Sequence, residues 1–191
     1  MLALGLEVPD TQAEGPGRRY AIWVQGCPLR CPGCCNPELL PFGGGTPVAP
    51  ADLLARILAT PDIEGISLLG GEPTAQAADL AEVAVGVQAA GRTVMLYTGF
   101  TLAELRARAD PAVDRLLAAC DLVVDGPYDR TRPDAVRRFV GSTNQVLHCL
   151  TPAYDPQDPR FTADRTVEIR FKNGEILVNG WPQPALRRVP R

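Results

Sequence analysis

The sequence predicts an α/β protein whose parallel strands alternate with helices, and three observations carry that prediction. Short apolar or β-branched runs alternate with segments of helical period from Tyr20 to Val124. Gly- and Pro-rich breaks separate the runs. At 191 residues and 46% hydrophobic content, the chain is long enough for one domain with a sizeable core and too apolar to be disordered.

The elements follow in order. Tyr20-Ala-Ile-Trp-Val24 is a β-branched and aromatic run that leads into a Gly/Cys/Pro loop. Ala51 to Ala59 has helical period, with Leu53, Leu54, Ile57 and Leu58 on one stripe; Pro50 stands at its start, where a missing N–H costs little. Ile63 to Leu69 reads as a buried strand ended by Gly70-Gly71, and Ala75 to Ala90 as an Ala-rich helix stopped by Gly91. Thr93 to Tyr97 is the next strand, Leu102 to Ala109 and Ala112 to Ala119 are helices, and Leu122 to Val124 is another strand. After Gly141 the alternation stops. Gln145 to Leu150 fits one more strand, Thr151 to Arg160 is a Pro- and Asp-rich loop, and Thr166 to Asn179 fits a β-hairpin turning through Asn173-Gly174. Trp181 to Arg191 reads as an extended tail. This divides the chain into a β/α domain, residues 1–150, and a C-terminal extension, residues 151–191, with the hairpin and a Pro-rich tail.

Composition excludes several classes. A net charge of −3 argues against nucleic-acid binding through a basic surface. No run of about 18 apolar residues is present to span a membrane, and the amino terminus lacks the pattern of a signal peptide, so a cytoplasmic protein is expected. Six cysteines are too few for a disulfide scaffold, yet four fall within nine residues: Cys27, Cys31, Cys34 and Cys35. In a cytoplasmic chain such a cluster points to metal or redox work. Cys120 and Cys149 stand alone in apolar surroundings and read as core thiols.

Each cluster of reactive or small polar residues directly follows an expected strand. Gln25-Gly-Cys27, Gly70-Gly-Glu-Pro73, Thr98-Gly-Phe100 and Asp125-Gly-Pro127 take these positions. Loops at the carboxyl ends of parallel strands converge on one face, so four distant segments are expected to form one site. Cys27-x3-Cys31-x2-Cys34 lies on a loop able to bend three sulfurs towards one centre. Thiolates are the usual ligands of iron–sulfur clusters, and three of them would leave one iron of a four-iron cluster open. The other reading is a zinc site completed by Cys35 or by the only histidine, His148.

These motifs together resemble the radical S-adenosylmethionine (SAM) enzymes. Gly15-Pro-Gly-Arg-Arg19, Val24-Gln-Gly-Cys27 and Cys34-Cys-Asn36-Pro37 are more narrowly similar to the glycyl-radical-enzyme activases. Val124-Asp-Gly-Pro-Tyr128 and Gly141-Ser-Thr-Asn-Gln145 are similar to those that serve anaerobic ribonucleotide reductase. The resemblance spans roughly residues 13 to 148. It implies an incomplete (β/α) barrel of radical SAM type with the C-terminal hairpin added. It implies a [4Fe–4S] cluster on Cys27, Cys31 and Cys34 whose open iron takes the amino nitrogen and carboxylate of SAM. Gly70, Gly71 and Glu72 would hold the methionine ammonium, with Thr98 and Asp125 on the carboxylate side; Gly33, Cys35 and Asn36 belong to the same cofactor-binding set. Some relatives place a monovalent cation near Thr98, but Tyr97 stands here where they have an acidic residue. Cys35 replaces a usual aromatic or histidine.

The implied activity is reductive cleavage of SAM to a 5′-deoxyadenosyl radical that installs a glycyl radical on a partner such as anaerobic ribonucleotide reductase. A one-electron donor of the flavodoxin or ferredoxin kind is also implied. Two other classes stay open: a small radical SAM enzyme modifying a peptide or metabolite, with the hairpin as a docking element, and a non-catalytic metal-binding domain.

Overall fold

β1 (Leu2–Thr11) opens the computed structural model, which describes residues 1–172 and 174–180, and pairs antiparallel with β2 (Arg19–Val24). β3 (Thr46–Val48) adds antiparallel to the other side of β1. The chain then alternates: α1 (Pro50–Ala59), β4 (Gly65–Gly70), α2 (Ala77–Ala89), β5 (Thr93–Tyr97), α3 (Leu102–Ala107), α4 (Pro111–Ala118) and β6 (Leu122–Asp125). β7 (Val146–Cys149) closes the run antiparallel to β6. The sheet order is β3-β1-β2-β4-β5-β6-β7, with β2, β4, β5 and β6 mutually parallel. This is an α/β fold with a parallel-rich sheet.

Local chemistry accounts for the boundaries. α1 begins at Pro50 and buries Leu53 and Ile57, whereas Leu58 of the expected stripe is 41% exposed. A 3-10 turn at Pro73–Gln76 leads into α2, and Gly91, with φ of 75°, follows its end in the left-handed conformation that favours glycine. α3 starts at a capping box formed by Thr101 and Glu104. β1 and β3 were not expected from the sequence. β1 carries Gly5 and Pro9 and is broken by two register shifts against β2, so its alternation is obscured. β3 has only three residues.

Strand side chains alternate between two faces. Ile22, Ile66, Leu68, Val94, Leu96 and Val123 pack with the helices in the largest core cluster. On the opposite face, Met95, Leu122 and Val124 pack with Phe139, Val140, Tyr154 and Phe161, and Trp23 with Leu39 and Leu69. Helices therefore cover one face, while loops and the C-terminal segment cover the other. That segment ends in the expected hairpin, β8 (Val167–Lys172) and β9 (Glu175–Gly180). Asn173 of the expected turn and the tail Trp181–Arg191 lie outside the described residues.

Arg19 is fully buried and ties the amino ends of the parallel strands together. It donates to Ser67 Oγ (2.9 Å), Thr93 Oγ1 (3.1 Å), the Ile66 carbonyl (2.5 Å) and the Tyr154 hydroxyl (3.0 Å). Tyr154 in turn donates to Glu64 Oε1 at 2.6 Å. This residue of the Gly-Pro-Gly-Arg-Arg motif is thus a structural fastener at the end of the sheet remote from the cysteine loop.

Candidate functional site

A pocket lies where β2, β4 and β5 end, on the face without helices. Its floor is set by backbone closures. Gly26 N and Cys27 N donate to the carbonyls of Leu39 (2.8 Å) and Leu40 (3.0 Å), so the cysteine loop returns to where it began. Gly71 N and Glu72 N then donate to Val24 O and Gly26 O, both at 2.8 Å, which docks the Gly-Gly-Glu loop against the cysteine loop. A Cβ on Gly71 would stand 2.2 Å from Gly26 O, and only glycine allows this approach. Gly70 has φ of 111°, a conformation that L side chains rarely adopt.

Glu72 is 1% exposed and surrounded by donors. Thr74 N (3.0 Å), Thr74 Oγ1 (2.6 Å) and Thr98 Oγ1 (2.9 Å) donate to its Oε1, and Gly99 N (2.9 Å) donates to its Oε2. These four donors hold a buried carboxylate in one orientation without a cation, and Oε2 keeps accepting capacity. Glu14 is the second carboxylate in the wall. It accepts from Gly180 N at 2.7 Å and Asn179 Nδ2 at 3.4 Å, and burial pushes its carboxyl up to about 7. Among the described residues, no Lys, Arg or His lines the pocket. The Glu72 carboxylate, in a wall otherwise made, Glu14 aside, of thiols, apolar side chains and uncharged polar groups, suits a ligand that carries positive charge.

Cys27, Cys31, Cys34 and Cys35 all line this pocket. Burial raises the thiols of Cys31 and Cys34, and pushes Cys35 up to about 11. The Asn36 N–H donates to Cys34 Sγ at 3.5 Å and Cys34 N to Cys31 O at 3.1 Å, which folds the loop around its sulfurs. Among the described residues, no three His, Cys, Asp or Glu side chains are gathered closely enough to hold a metal ion. The three thiols share the wall without converging on one centre. By donor type and placement they nonetheless fit a thiolate-bound cluster, since three sulfurs of one short loop face the same pocket.

The structure brings Cys27, Cys31, Cys34, Cys35, Asn36, Gly70, Gly71, Glu72 and Thr98 into this one pocket. It does not bring in Gly33 and Asp125. Gly33 is exposed on the rim of the cysteine loop with φ of 76°, where a Cβ would meet the Arg130 side chain at 2.6 Å. Asp125 accepts from Leu102 N at 2.7 Å, and its other oxygen lies 3.1 Å from His148 Nε2, a proximity without hydrogen-bond alignment. His148 is accordingly turned away from the thiols, on β7.

Sequence reasoning missed Glu14, Trp23, Phe139, Gln145 and Gly180 as wall residues. Gln145 had a signal, because it ends the Gly-Ser-Thr-Asn-Gln stretch: its Oε1 accepts from Gly141 N and Ser142 N, and its Nε2 donates to Gly126 O at 2.9 Å. Glu14 and Gly180 had none, being 166 residues apart.

A family described as a 4Fe-4S single cluster domain matches residues 13–148. The chain belongs to that family. Its members thus share with this 4Fe-4S domain the stretch that holds the cysteine loop and the Gly-Gly-Glu loop, while the match ends before the hairpin. The anaerobic ribonucleoside-triphosphate reductase-activating protein of Vibrio cholerae is 32% identical over 152 residues, 75% of this chain and 95% of that protein. Its counterpart from Escherichia coli is 33% identical over 150 residues, 74% of this chain and 95% of its own length. The pyruvate formate-lyase-activating enzyme of Listeria monocytogenes is 30% identical over 120 residues, 58% of this chain and 47% of that enzyme. The resemblance read from the motifs is therefore borne out. No helix among the described residues is long and apolar enough to cross a membrane.

Proposed function

We propose that this chain is a radical SAM activating enzyme that installs a glycyl radical on a partner of the anaerobic ribonucleotide reductase type. The observation that carries the reading is the pocket itself, where the thiols of Cys27, Cys31 and Cys34 and the carboxylate of Glu72 face one space. Cys27, Cys31 and Cys34 would hold the [4Fe–4S] cluster, and Glu72 Oε2 would accept the ammonium of SAM above Gly70 and Gly71. Reduced cluster and SAM, when bound, supply a 5′-deoxyadenosyl radical able to take a hydrogen atom from a glycine.

The chain's own residues provide the surroundings. Thr98 and Thr74 fix Glu72, and Asp125 acts at one remove by holding the Leu102 amide at the start of α3. Trp23, Leu69 and Phe139 line the wall with apolar surface and keep water out. Cys35 and Asn36 shape the cofactor side of the loop, while Gly33, outside the pocket, serves the turn between Cys31 and Cys34 through its positive φ. Among the described residues the wall carries no Lys, Arg or His, in keeping with chemistry that moves a hydrogen atom and needs no acid or base. In this reading residues 1–150 form an incomplete barrel, 151–191 extend it, and a flavodoxin or ferredoxin delivers the electron.

Anaerobic reconstitution tests it. About four irons per chain and conversion of SAM to 5′-deoxyadenosine on reduction are expected. Cys27→Ala, Cys31→Ala and Cys34→Ala should each lose cleavage, while Cys35→Ala keeps it. Zinc bound in place of iron would overturn the proposal.

A further inference from the structure

The C-terminal hairpin is polar on its inner face and apolar on its outer one. Inward, Glu168 accepts from Gln12 N at 2.8 Å, Arg170 donates to the Asp10 carbonyl, and Asn179 donates to Thr11 Oγ1 at 2.9 Å. Leu177 packs on the cluster that contains Trp23. Outward, Val167, Ile169 and Phe171 are 45%, 59% and 78% exposed. The strand register sets Val178 opposite Ile169 and Ile176 opposite Phe171, so five apolar side chains share the outer face. A half-solvated sheet ordinarily turns its polar side to water. This hairpin does the reverse.

We infer that this face docks the protein whose glycine segment enters the pocket, an inference that rests on the function proposed above. Two observations choose that occupant. First, the patch adjoins the pocket at one end: Val167 pairs with Gly180, which itself lines the pocket and donates to Glu14. Second, area excludes a second copy of the chain. The exposed outer face amounts to about 400 Å² of apolar surface. Two such faces in contact would bury about 800 Å² in total, below the roughly 1,200 Å² of a stable interface. A partner that seats on the hairpin and also inserts a segment into the adjoining pocket gains the missing area. The family match ends at residue 148, so the surface is an addition to the shared domain.

The test uses Ile169→Asp, Phe171→Asp and the double variant in the full chain. Their side chains point away from the body of the protein, so melting temperature, iron content and uncoupled SAM cleavage should match the unmodified chain. The probe is the purified, unactivated anaerobic ribonucleoside-triphosphate reductase of the same organism, with binding measured anaerobically and the glycyl radical by electron paramagnetic resonance. The double variant should bind about tenfold or more weakly and yield correspondingly less radical. Equal binding by variant and unmodified chains would overturn the docking surface alone. Loss of a dimer in the double variant, seen by light scattering, would overturn it in favour of self-association. An unmodified chain that cleaves SAM yet neither binds nor radicalises the reductase would overturn both this surface and the partner in the proposed function.

Discussion

Replacing Glu72 by Gln isolates what its four donors do. Gln keeps the shape but exchanges one carboxylate oxygen for an NH2 group. With the amide nitrogen at the Oε2 position it confronts Gly99 N–H; flipped, it confronts Thr74 N–H. The threonine hydroxyls can rotate to accept, but a backbone N–H cannot. Either orientation thus leaves one buried backbone donor facing another donor, which costs about 2 kcal/mol. For a chain of this length that is a fall of roughly 4–8 °C in the melting temperature of the unliganded protein. Binding should suffer separately. Loss of a charge-assisted bond to the SAM ammonium is worth roughly 1.5–3 kcal/mol, a tenfold to hundredfold weaker Kd by anaerobic equilibrium dialysis. A variant that melts with the unmodified chain and binds SAM as tightly would refute both the donor cage and the assigned role of Glu72.

Three further outcomes are expected. Gly71→Ala places a Cβ 2.2 Å from Gly26 O and 2.9 Å from Leu39 O, so the Gly-Gly-Glu loop must move off the cysteine loop; SAM titration should show about a tenfold or greater loss, and unchanged affinity would count against this docking. Arg19→Met orphans the Ile66 carbonyl and its polar neighbours in the interior, and should lower the free energy of unfolding by about 3 kcal/mol in urea; a change below about 1 kcal/mol would contradict the fastener role. Glu14 has its folded carboxyl raised from 4.5 to about 7 by burial, so its contribution is fully present below pH 4.5 and is lost as pH rises to about 7. Stability should therefore decline across that window by up to about 3 kcal/mol, and Glu14→Gln should flatten this part of the profile; an unaltered slope would refute the assignment.

What the sequence made legible, and what it hid, follows from the range of the interactions involved. The parallel strands were readable because each is a short apolar run with a glycine or cysteine loop at its end, and those loops are what β2, β4 and β5 deliver to the pocket. Glu72 and Thr98 were readable for the same reason, being the first polar residues beyond a strand. β1 was obscured by its two register shifts, and the pocket wall was legible only on the side those loops form. The rest of the wall comes from residues whose neighbours in sequence say nothing about a site. Glu14 precedes the Gly-Pro-Gly turn, Phe139 lies in a loop with φ of 65°, and Gly180 ends a hairpin that begins beyond the family match. Glu14 and Gly180 are joined by a hydrogen bond from the Gly180 amide to the Glu14 carboxyl, and Phe139 is held by its packing on Met95, Leu122 and Val124. The outer face of the hairpin was hidden differently. The sequence shows Val167, Ile169 and Phe171 alternating as any half-buried strand would, and only the inward hydrogen bonds of Glu168 and Arg170 reveal that the apolar side is the one facing out. A pattern of period two fixes which residues share a face, but not which face meets water. For this chain that choice separates a core strand from a surface built to receive another protein.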